Sequence, residues 1–177
     1  MIHLNTERLV LRNVRQQDVG IIFDYRNNPL CARYQRGQTK DYAGIAALLK
    51  EYEQDQLTVN APSMVAVALK ESDEMVGEIV VMPNDGTISL GYTFSYKHHR
   101  KGYAYESLSL LIDILHRQNP DWDFISFTEP DNTASRNLLK KLGYMDMGYI
   151  PSMESQVYGK WITPETNEEI AQAVAQT

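Results

Sequence analysis

The middle of the chain places a strand pattern, a basic turn with one glycine and a helix pattern in direct succession, and this order constrains the fold more than any other feature. Residues 87–96 alternate branched or aromatic side chains with small or polar ones, which predicts a β-strand. From Ala104 to Leu115 apolar residues recur at helical spacing, which predicts an amphipathic helix. Gly102 lies between the two patterns. The sequence therefore predicts a strand that turns sharply into a helix.

A turn of this kind can bind a phosphate group. The first N–H groups of a helix have no partner within the helix and lie at the positive end of its dipole. Gly102 has no side chain, so the main chain can approach a phosphate closely. Lys97, Arg100 and Lys101 make this the densest basic run in the chain. The alternative interpretation is an ordinary solvated loop, since basic residues near a glycine are common on surfaces.

The remaining patterns predict one α/β domain over residues 1–177. The turn signal at 83–86 predicts that strand 87–96 runs antiparallel to the strand before it. The helical crossover predicts that the next strand, 124–128, runs parallel to strand 87–96. The other predicted strands are 8–14, 64–69, 75–82, 144–150 and 156–162. The other predicted helices are 16–26, one that begins after Asp41, 132–142, and a short C-terminal helix or tail at 163–177.

Composition narrows the classes of function. The formal net charge of −6 argues against a nucleic-acid partner and slightly favours amine substrates. No apolar stretch is long enough to span a membrane and the start of the chain lacks a secretory pattern, so we expect a cytoplasmic protein without membrane association. Cys31 is the only cysteine, which excludes an internal disulfide and a multi-cysteine metal site, and no metal site is predicted. A packed side chain and a reactive thiol both remain open for Cys31.

Two further stretches agree with the glycine turn in order and spacing. Residues 6–12 read Thr-Glu-Arg-Leu-Val-Leu-Arg, and residues 132–144 run from Asn132 to Gly143-Tyr144 through a leucine-rich helix pattern. With these stretches, about the first 160 residues resemble the GNAT superfamily of acyl-CoA-dependent N-acyltransferases. Within it the chain is most similar to the ribosomal-protein N-terminal alanine acetyltransferase branch. The resemblance implies an α/β (α+β) GNAT fold: a mixed, mostly antiparallel twisted sheet of six to seven strands, two central parallel strands splayed apart, and about four flanking helices.

The same resemblance implies acetyl-CoA as co-substrate. Its pantetheine arm would lie between the splayed strands and pair with the first of them, where a main-chain N–H near Thr93 would polarise the thioester carbonyl. Its pyrophosphate would lie on the turn from His99 to Ala104. Asn132 matches a family asparagine that binds the pantetheine arm, and it is equally suited to cap the following helix. The cofactor-binding residues implied are Thr93, Phe94, His99, Arg100, Lys101, Gly102, Tyr103, Ala104 and Asn132.

The catalytic residues are less well marked. Many members of the superfamily protonate the departing thiolate with a tyrosine, but Leu139 stands at that position here. Ser135 matches the serine that lies near the sulfur in the similar branch, and it is the candidate acid. In the similar branch an acidic residue often precedes the Gly-Tyr pair of the central strand, here Gly91-Tyr92, but this chain has Ser89 at that position. The base is therefore open, and Glu78 is a candidate if its side chain faces the cofactor. For Ser135 and Glu78 a purely structural role is the alternative.

The function implied is acetyl transfer from acetyl-CoA to a primary amine by direct attack in a ternary complex. The acceptor could be a protein N-terminus, a polyamine or an amine-bearing antibiotic, and its wall would include Tyr25, Arg26, Tyr34 and Arg36. A CoA-binding sensor or interaction module without turnover is the alternative, since Ser89 and Leu139 replace frequent catalytic types. A homodimer is compatible with the sequence, because dimers are the commonest assemblies.

Overall fold

The computed structural model describes residues 1–176 and contains eight strands in one sheet. Their spatial order is β1-β2-β3-β4-β5-β6-β8-β7, and among these strands only β5 and β6 pair in parallel. The predicted mixed, mostly antiparallel sheet is confirmed, with eight strands instead of six to seven. The strands are β1 (His3–Asn5), β2 (Leu9–Asn13), β3 (Ser63–Leu69), β4 (Met75–Asn84), β5 (Thr87–Phe94), β6 (Asp123–Thr128), β7 (Met145–Ile150) and β8 (Ser155–Lys160).

Six α-helices accompany the sheet. The family resemblance implied about four, and the sequence patterns predicted five of the six. The unpredicted helix, α2, is one turn long and begins where the Asn28 side chain accepts a hydrogen bond from the Leu30 N–H. Four residues are too few to show a helical period in the sequence. Strand β1 was not predicted for the same reason, because three residues are too few to show alternation. The predicted C-terminal helix is present as α6, and Thr177 lies outside the described residues. The helices are α1 (Val19–Arg26), α2 (Pro29–Ala32), α3 (Tyr42–Tyr52), α4 (Tyr103–Gln118), α5 (Thr133–Lys141) and α6 (Pro164–Ala175).

The helices cover the two faces of the sheet, and the period-two alternation of the strands decides which face each residue joins. Ile88 and Phe124 pack with α4 and α5 in one core cluster, which includes Leu111 and Leu139. Met64 and Ala66 point to the opposite face, which α1 and α3 cover. A third cluster joins α6 to strands β6, β7 and β8. None of the helices within residues 1–176 has the length and apolar composition needed to cross a membrane.

The parallel pair β5–β6 is very short. Only Thr87 pairs with Asp123 and Ile88 with Phe124; β5 then continues to Phe94 and β6 to Thr128 without pairing to each other. The predicted splay is therefore confirmed, and it opens a cleft in the middle of the sheet.

Candidate active site

The cleft between the diverging strands has a volume of about 1040 Å³. It runs from the start of α4, past the free edge of β5, to the start of α5 and the segment before β8. All predicted site residues line it except Lys101 and Glu78. The residues that it brings together are Thr93, Phe94, His99, Arg100, Gly102, Tyr103, Ala104, Asn132 and Ser135.

One end of the cleft is the start of α4. Gly102 is the residue that caps this helix and has a φ of 80°, a left-handed conformation that glycine adopts without strain. The first helical bond runs from the Glu106 N–H to the Gly102 carbonyl at 3.0 Å, so the N–H groups of residues 103–105 have no carbonyl partner within the helix. Arg100 and Lys141 also line this end. Open N–H groups, a helix dipole and two cations together suit a phosphate group.

The N-terminal motif holds the start of α4 in place. The Glu106 carboxylate accepts hydrogen bonds from the Thr6 hydroxyl at 2.6 Å, the Arg8 N–H at 2.9 Å and the Arg8 Nε at 2.7 Å. Partial burial alone would raise the pKa of Glu106, but these bonds outweigh it and the pKa is lowered. The Thr-Glu-Arg stretch therefore anchors the start of α4 to the segment that leads into strand β2.

The free edge of β5 presents main-chain groups to the cleft, and the register of the sheet decides which ones. Asn84 pairs with Thr87 across a two-residue turn, and the Ser95 N–H bonds to the Val76 carbonyl at 2.8 Å. Along an antiparallel ladder every second residue is hydrogen-bonded to the partner strand. Thr87 and Ser95 are bonded positions, so Thr93, which lies at the same two-residue spacing, also turns its main-chain groups toward β4. The N–H and C=O groups of its two neighbours, residues 92 and 94, face the cleft. Thr93 therefore lines the cleft only through its side chain, and the cleft-facing N–H groups belong to Tyr92 and Phe94.

Side chains already occupy the carbonyls of this edge. The Tyr92 carbonyl accepts a hydrogen bond from Gln35 Nε2 at 3.3 Å. The Phe94 carbonyl lies 2.8 Å from His99 Nε2 and also accepts a hydrogen bond from Cys31 Sγ at 3.3 Å. Burial raises the pKa of the Cys31 thiol, so it is a packed side chain rather than an activated nucleophile.

A pair of hydroxyl groups bridges the divergence. Ser135 Oγ lies 2.8 Å from the Tyr92 hydroxyl, which joins β5 to the first turn of α5. Asn132 caps that helix by accepting a hydrogen bond from the Ser135 N–H at 3.2 Å, so its capping role is present. Burial raises the pKa of Tyr92, which keeps the phenol protonated and able to donate. Sequence reasoning missed this role of Tyr92, although it had singled out the Gly91-Tyr92 pair. Leu139 is buried in the core and contributes no acid.

Glu78 lies outside the lining of the cleft. Its Oε1 accepts hydrogen bonds from Arg26 Nε at 3.0 Å and Nη2 at 2.6 Å, and both side chains are almost completely buried. Burial raises the pKa of Glu78, and the neighbouring Arg26 charge offsets part of that rise. Gln38 and Thr39 lie over the pair: Gln38 Nε2 donates to Thr93 Oγ1, and Arg26 donates to the Thr39 carbonyl. This geometry favours a structural role, and a catalytic Glu78 stays a prediction.

The predicted acceptor wall divides into two parts. Tyr25 and Arg26 are buried beneath the sheet and do not line the cleft. Tyr34 and Arg36 do line it. Tyr34 donates through its hydroxyl to the Asp131 carbonyl at 3.1 Å, so the segment between α2 and α3 reaches across to the segment that precedes α5.

The fold and the cleft define a class of protein: a mixed α/β transferase whose sheet opens to hold an extended, phosphate-bearing donor. The family model of the acetyltransferase (GNAT) domain matches residues 8–145, and the chain belongs to this family. It is an N-acetyltransferase, and acetyl-CoA is its co-substrate. The family, the enzyme class and the co-substrate predicted from the sequence are therefore confirmed.

Relatives and solved structures agree with this assignment. The chain is 25% identical over 162 residues to the uncharacterized N-acetyltransferase p20 of Bacillus licheniformis, with 85% of this chain and 86% of that protein covered. Its fold is similar to a GNAT-family acetyltransferase from Bacillus anthracis, with a TM-score of 0.75, 20% identity, and 89% and 96% of the two chains covered. It is also similar to RimL, a ribosomal L7/L12 α-N-protein acetyltransferase in complex with coenzyme A, with a TM-score of 0.75, 14% identity, and 90% and 97% covered.

Proposed function

We propose that the protein transfers the acetyl group of acetyl-CoA to a primary amine by direct attack within a ternary complex. The observation that carries this proposal is one continuous cleft, which joins the open N-terminus of α4 to the Tyr92–Ser135 hydroxyl pair. A donor that places its pyrophosphate at the first site can extend along β5 and bring its thioester toward the second.

The chemistry follows from the groups at the free edge of β5. The neutral amine attacks the thioester carbonyl carbon, and a main-chain N–H of Tyr92 or Phe94 stabilises the negative charge on the carbonyl oxygen. The C–S bond then breaks and its electron pair stays on sulfur. Ser135 Oγ donates to the thiolate while the Tyr92 hydroxyl donates to Ser135. The attacking nitrogen releases one proton to solvent water in the open cleft, and Tyr92 recovers from water the proton that passed through Ser135 to sulfur, which gives the N-acetyl amine and coenzyme A.

Direct attack is favoured over an acetylated enzyme intermediate. Cys31 is the one cysteine near the thioester path, but its thiol is engaged by the Phe94 carbonyl and burial raises its pKa. A thiol in this state is a weak nucleophile. We therefore expect kinetics in which both substrates bind before either product leaves, and a Cys31→Ser variant that retains turnover.

The proposal can be tested by calorimetric binding of acetyl-CoA together with a thiol-release assay over a panel of amines. The key variant is Gly102→Val, because its side chain would lie at the phosphate site and 3.3 Å from the Arg8 guanidinium. Gly86→Val is the matched control: Gly86 has a φ of 85°, Gly102 has a φ of 80°, and no atom lies within 4 Å of an added Gly86 Cβ. We expect at least a tenfold loss of acetyl-CoA affinity in the first variant and none in the second. Full acetyl-CoA affinity in Gly102→Val would show that the phosphate site is not at this turn.

A CoA-binding module without turnover is the disfavoured alternative, because the chain belongs to the acetyltransferase (GNAT) family and is an N-acetyltransferase. Its structural support is that Glu78, the candidate base, is paired with Arg26 and lies outside the cleft. Acetyl-CoA binding without thiol release from any amine would support it. Release of free thiol with any amine above the rate of spontaneous hydrolysis would exclude it.

A further inference from the structure

Large apolar side chains are exposed together along the side of the cleft opposite α4 and α5. They form what we call the acceptor groove, made of Leu30, Tyr34, Met82, Phe127 and Met153, all of which line the cleft. Four of them leave between 41% and 73% of their surface open to water: Leu30, Met82, Phe127 and Met153. Exposed apolar groups that are clustered at a cleft mark a binding surface, whereas scattered ones need no explanation.

The register of the sheet shows which face this groove occupies. Met82 pairs with Ser89, the residue after Ile88, and Phe127 lies three residues after Phe124. Ile88 and Phe124 point into the core beneath α4, so alternation turns Met82 and Phe127 to the other face. A donor held at the start of α4 and an acceptor held in this groove would therefore approach the thioester position from opposite faces of the sheet.

The charges of the cleft argue against acceptors that carry several ammonium groups. Among the lining residues the only carboxylate is Glu129, and Arg36 Nε donates to its Oε1 at 2.7 Å. Arg36 is held further by the Met153 carbonyl at 3.0 Å and the Glu154 carbonyl at 2.9 Å. The remaining formally charged lining residues are basic and lie toward the phosphate site. A polyamine or aminoglycoside would therefore bring several ammonium groups to a surface that has no free carboxylate to receive them.

The same contacts limit the length of the groove. Arg36 and Tyr34 join the α2–α3 segment to the β6–α5 segment and to the segment that precedes β8. These bridges involve Tyr34 and Met153 of the acceptor groove itself, so an extended peptide that passed between the joined segments would have to displace them. A compact molecule would not need to displace them.

We infer that the acceptor is a small primary monoamine with an apolar or aromatic body, which lies in the acceptor groove while its amine reaches the thioester. This inference rests on the proposed function and narrows it. The apolar body would cover side chains that are now exposed to water, and the single amine would enter the reaction in its neutral form.

The test compares kcat/KM, by thiol release, for 2-phenylethylamine, hexylamine, spermidine, kanamycin and a peptide with a free N-terminus. We expect the first two amines to exceed the other three by at least tenfold. Calorimetric binding of 2-phenylethylamine to the protein–CoA complex provides a readout that does not depend on turnover. A preference for spermidine, kanamycin or the peptide would overturn the inference and leave acetyl transfer intact. Thiol release with none of the five would overturn both the inference and the proposed function.

Variants of the groove sharpen the test. Phe127→Ser and Met82→Ser change exposed side chains, so we expect folded proteins whose acetyl-CoA affinity is unchanged and whose KM for 2-phenylethylamine rises about tenfold. Met145→Ser is the control, because Met145 is also an exposed apolar side chain but lies on β7 outside the cleft. Arg36→Ala would free Glu129, and we expect the activity toward spermidine to rise relative to that toward 2-phenylethylamine. Unchanged amine selectivity in Phe127→Ser, Met82→Ser and Arg36→Ala would contradict the assignment.

Discussion

Removal of the Glu78 carboxylate distinguishes a structural anchor from a catalytic base. The Arg26–Glu78 pair has side chains that are 4% and 2% exposed, and the contact between them is 2.6 Å. In a Glu78→Gln variant the Arg26 guanidinium would keep its charge in a buried site without a counter-charge. Leaving one partner of a buried ion pair alone costs about 3–5 kcal/mol. For a chain of this size each kcal/mol lowers the melting temperature by roughly 2–4 °C, so we expect a decrease of about 6–20 °C.

The double variant Arg26→Met, Glu78→Met separates stability from chemistry. Replacement of a buried pair by apolar side chains of similar volume is often neutral or stabilising, so we expect most of the lost stability to return. If Glu78 acts only as an anchor, the double variant also keeps its kcat within about threefold of the parent. If Glu78 is the general base, the folded double variant loses about 100-fold or more in kcat.

Urea unfolding, monitored by tryptophan fluorescence, gives the stability, and thiol release gives kcat. The double variant is compared with the parent at equal acetyl-CoA saturation. A Glu78→Gln variant whose free energy of unfolding is less than about 1 kcal/mol below that of the parent would refute the reasoning, because a buried unpaired guanidinium costs more than that.

Three further predictions concern the cleft and its supports. Glu106→Gln should lower stability at pH 7, and this loss should shrink as the pH falls. The folded-state pKa of Glu106 is lowered, so its contribution is present above the unfolded pKa and is lost as pH falls through the folded pKa; equal urea midpoints for variant and parent at pH 7 would contradict this. Ser135→Ala should lower kcat about 100-fold with little change in the KM for acetyl-CoA. Tyr92→Phe should lower kcat less, because it removes only the second donor, and wild-type kcat values in both variants would exclude a catalytic role for the hydroxyl pair. Gly77→Ala should cost about 1–3 kcal/mol in urea unfolding, because the new Cβ would lie 2.5 Å from the Phe94 ring, and Gly91→Ala, whose Cβ meets only the end of Met82 at 3.4 Å, is its control.

The strand–turn–helix unit could be predicted because its signals are local. Alternation over 87–96, the glycine at 102 and the helical period after Ala104 each act within a few residues, and the structure places β5 and α4 there. The splay was predicted only from the family resemblance, because no residue near Ile88 indicates that the pairing between β5 and β6 ends there. The turn at 85–86 does contain the information that residues 92 and 94 face the cleft. Its two-residue length fixes the register, but the consequence appears only when hydrogen-bonded pairs are counted along the ladder.

The contacts that decide the roles of individual residues could not be predicted, because they join distant parts of the chain. Arg26 and Glu78 are 52 positions apart, and Tyr92 and Ser135 are 43 apart. Neither separation corresponds to the short residue spacing by which a helix or a strand brings two side chains together. Glu78 looked like a candidate base because a strand carboxylate beside a cleft is suggestive, and only the three-dimensional structure shows that an arginine holds it.

The divergence of β5 and β6 leaves main-chain groups of β5 without strand partners. Within residues 1–176, the carbonyl groups along this edge find other partners, whereas the N–H groups do not. An unpaired buried main-chain group costs about 1–3 kcal/mol, so an open strand edge is unfavourable unless something else bonds to it. Here the carbonyls of Tyr92 and Phe94 are satisfied by side chains, chiefly Gln35 and His99. No side chain within the described residues accepts a hydrogen bond from the N–H of residue 92 or 94. The cleft therefore offers donors but few acceptors along its edge, and a thioester carbonyl, which can only accept hydrogen bonds, is the kind of group that such an edge stabilises best.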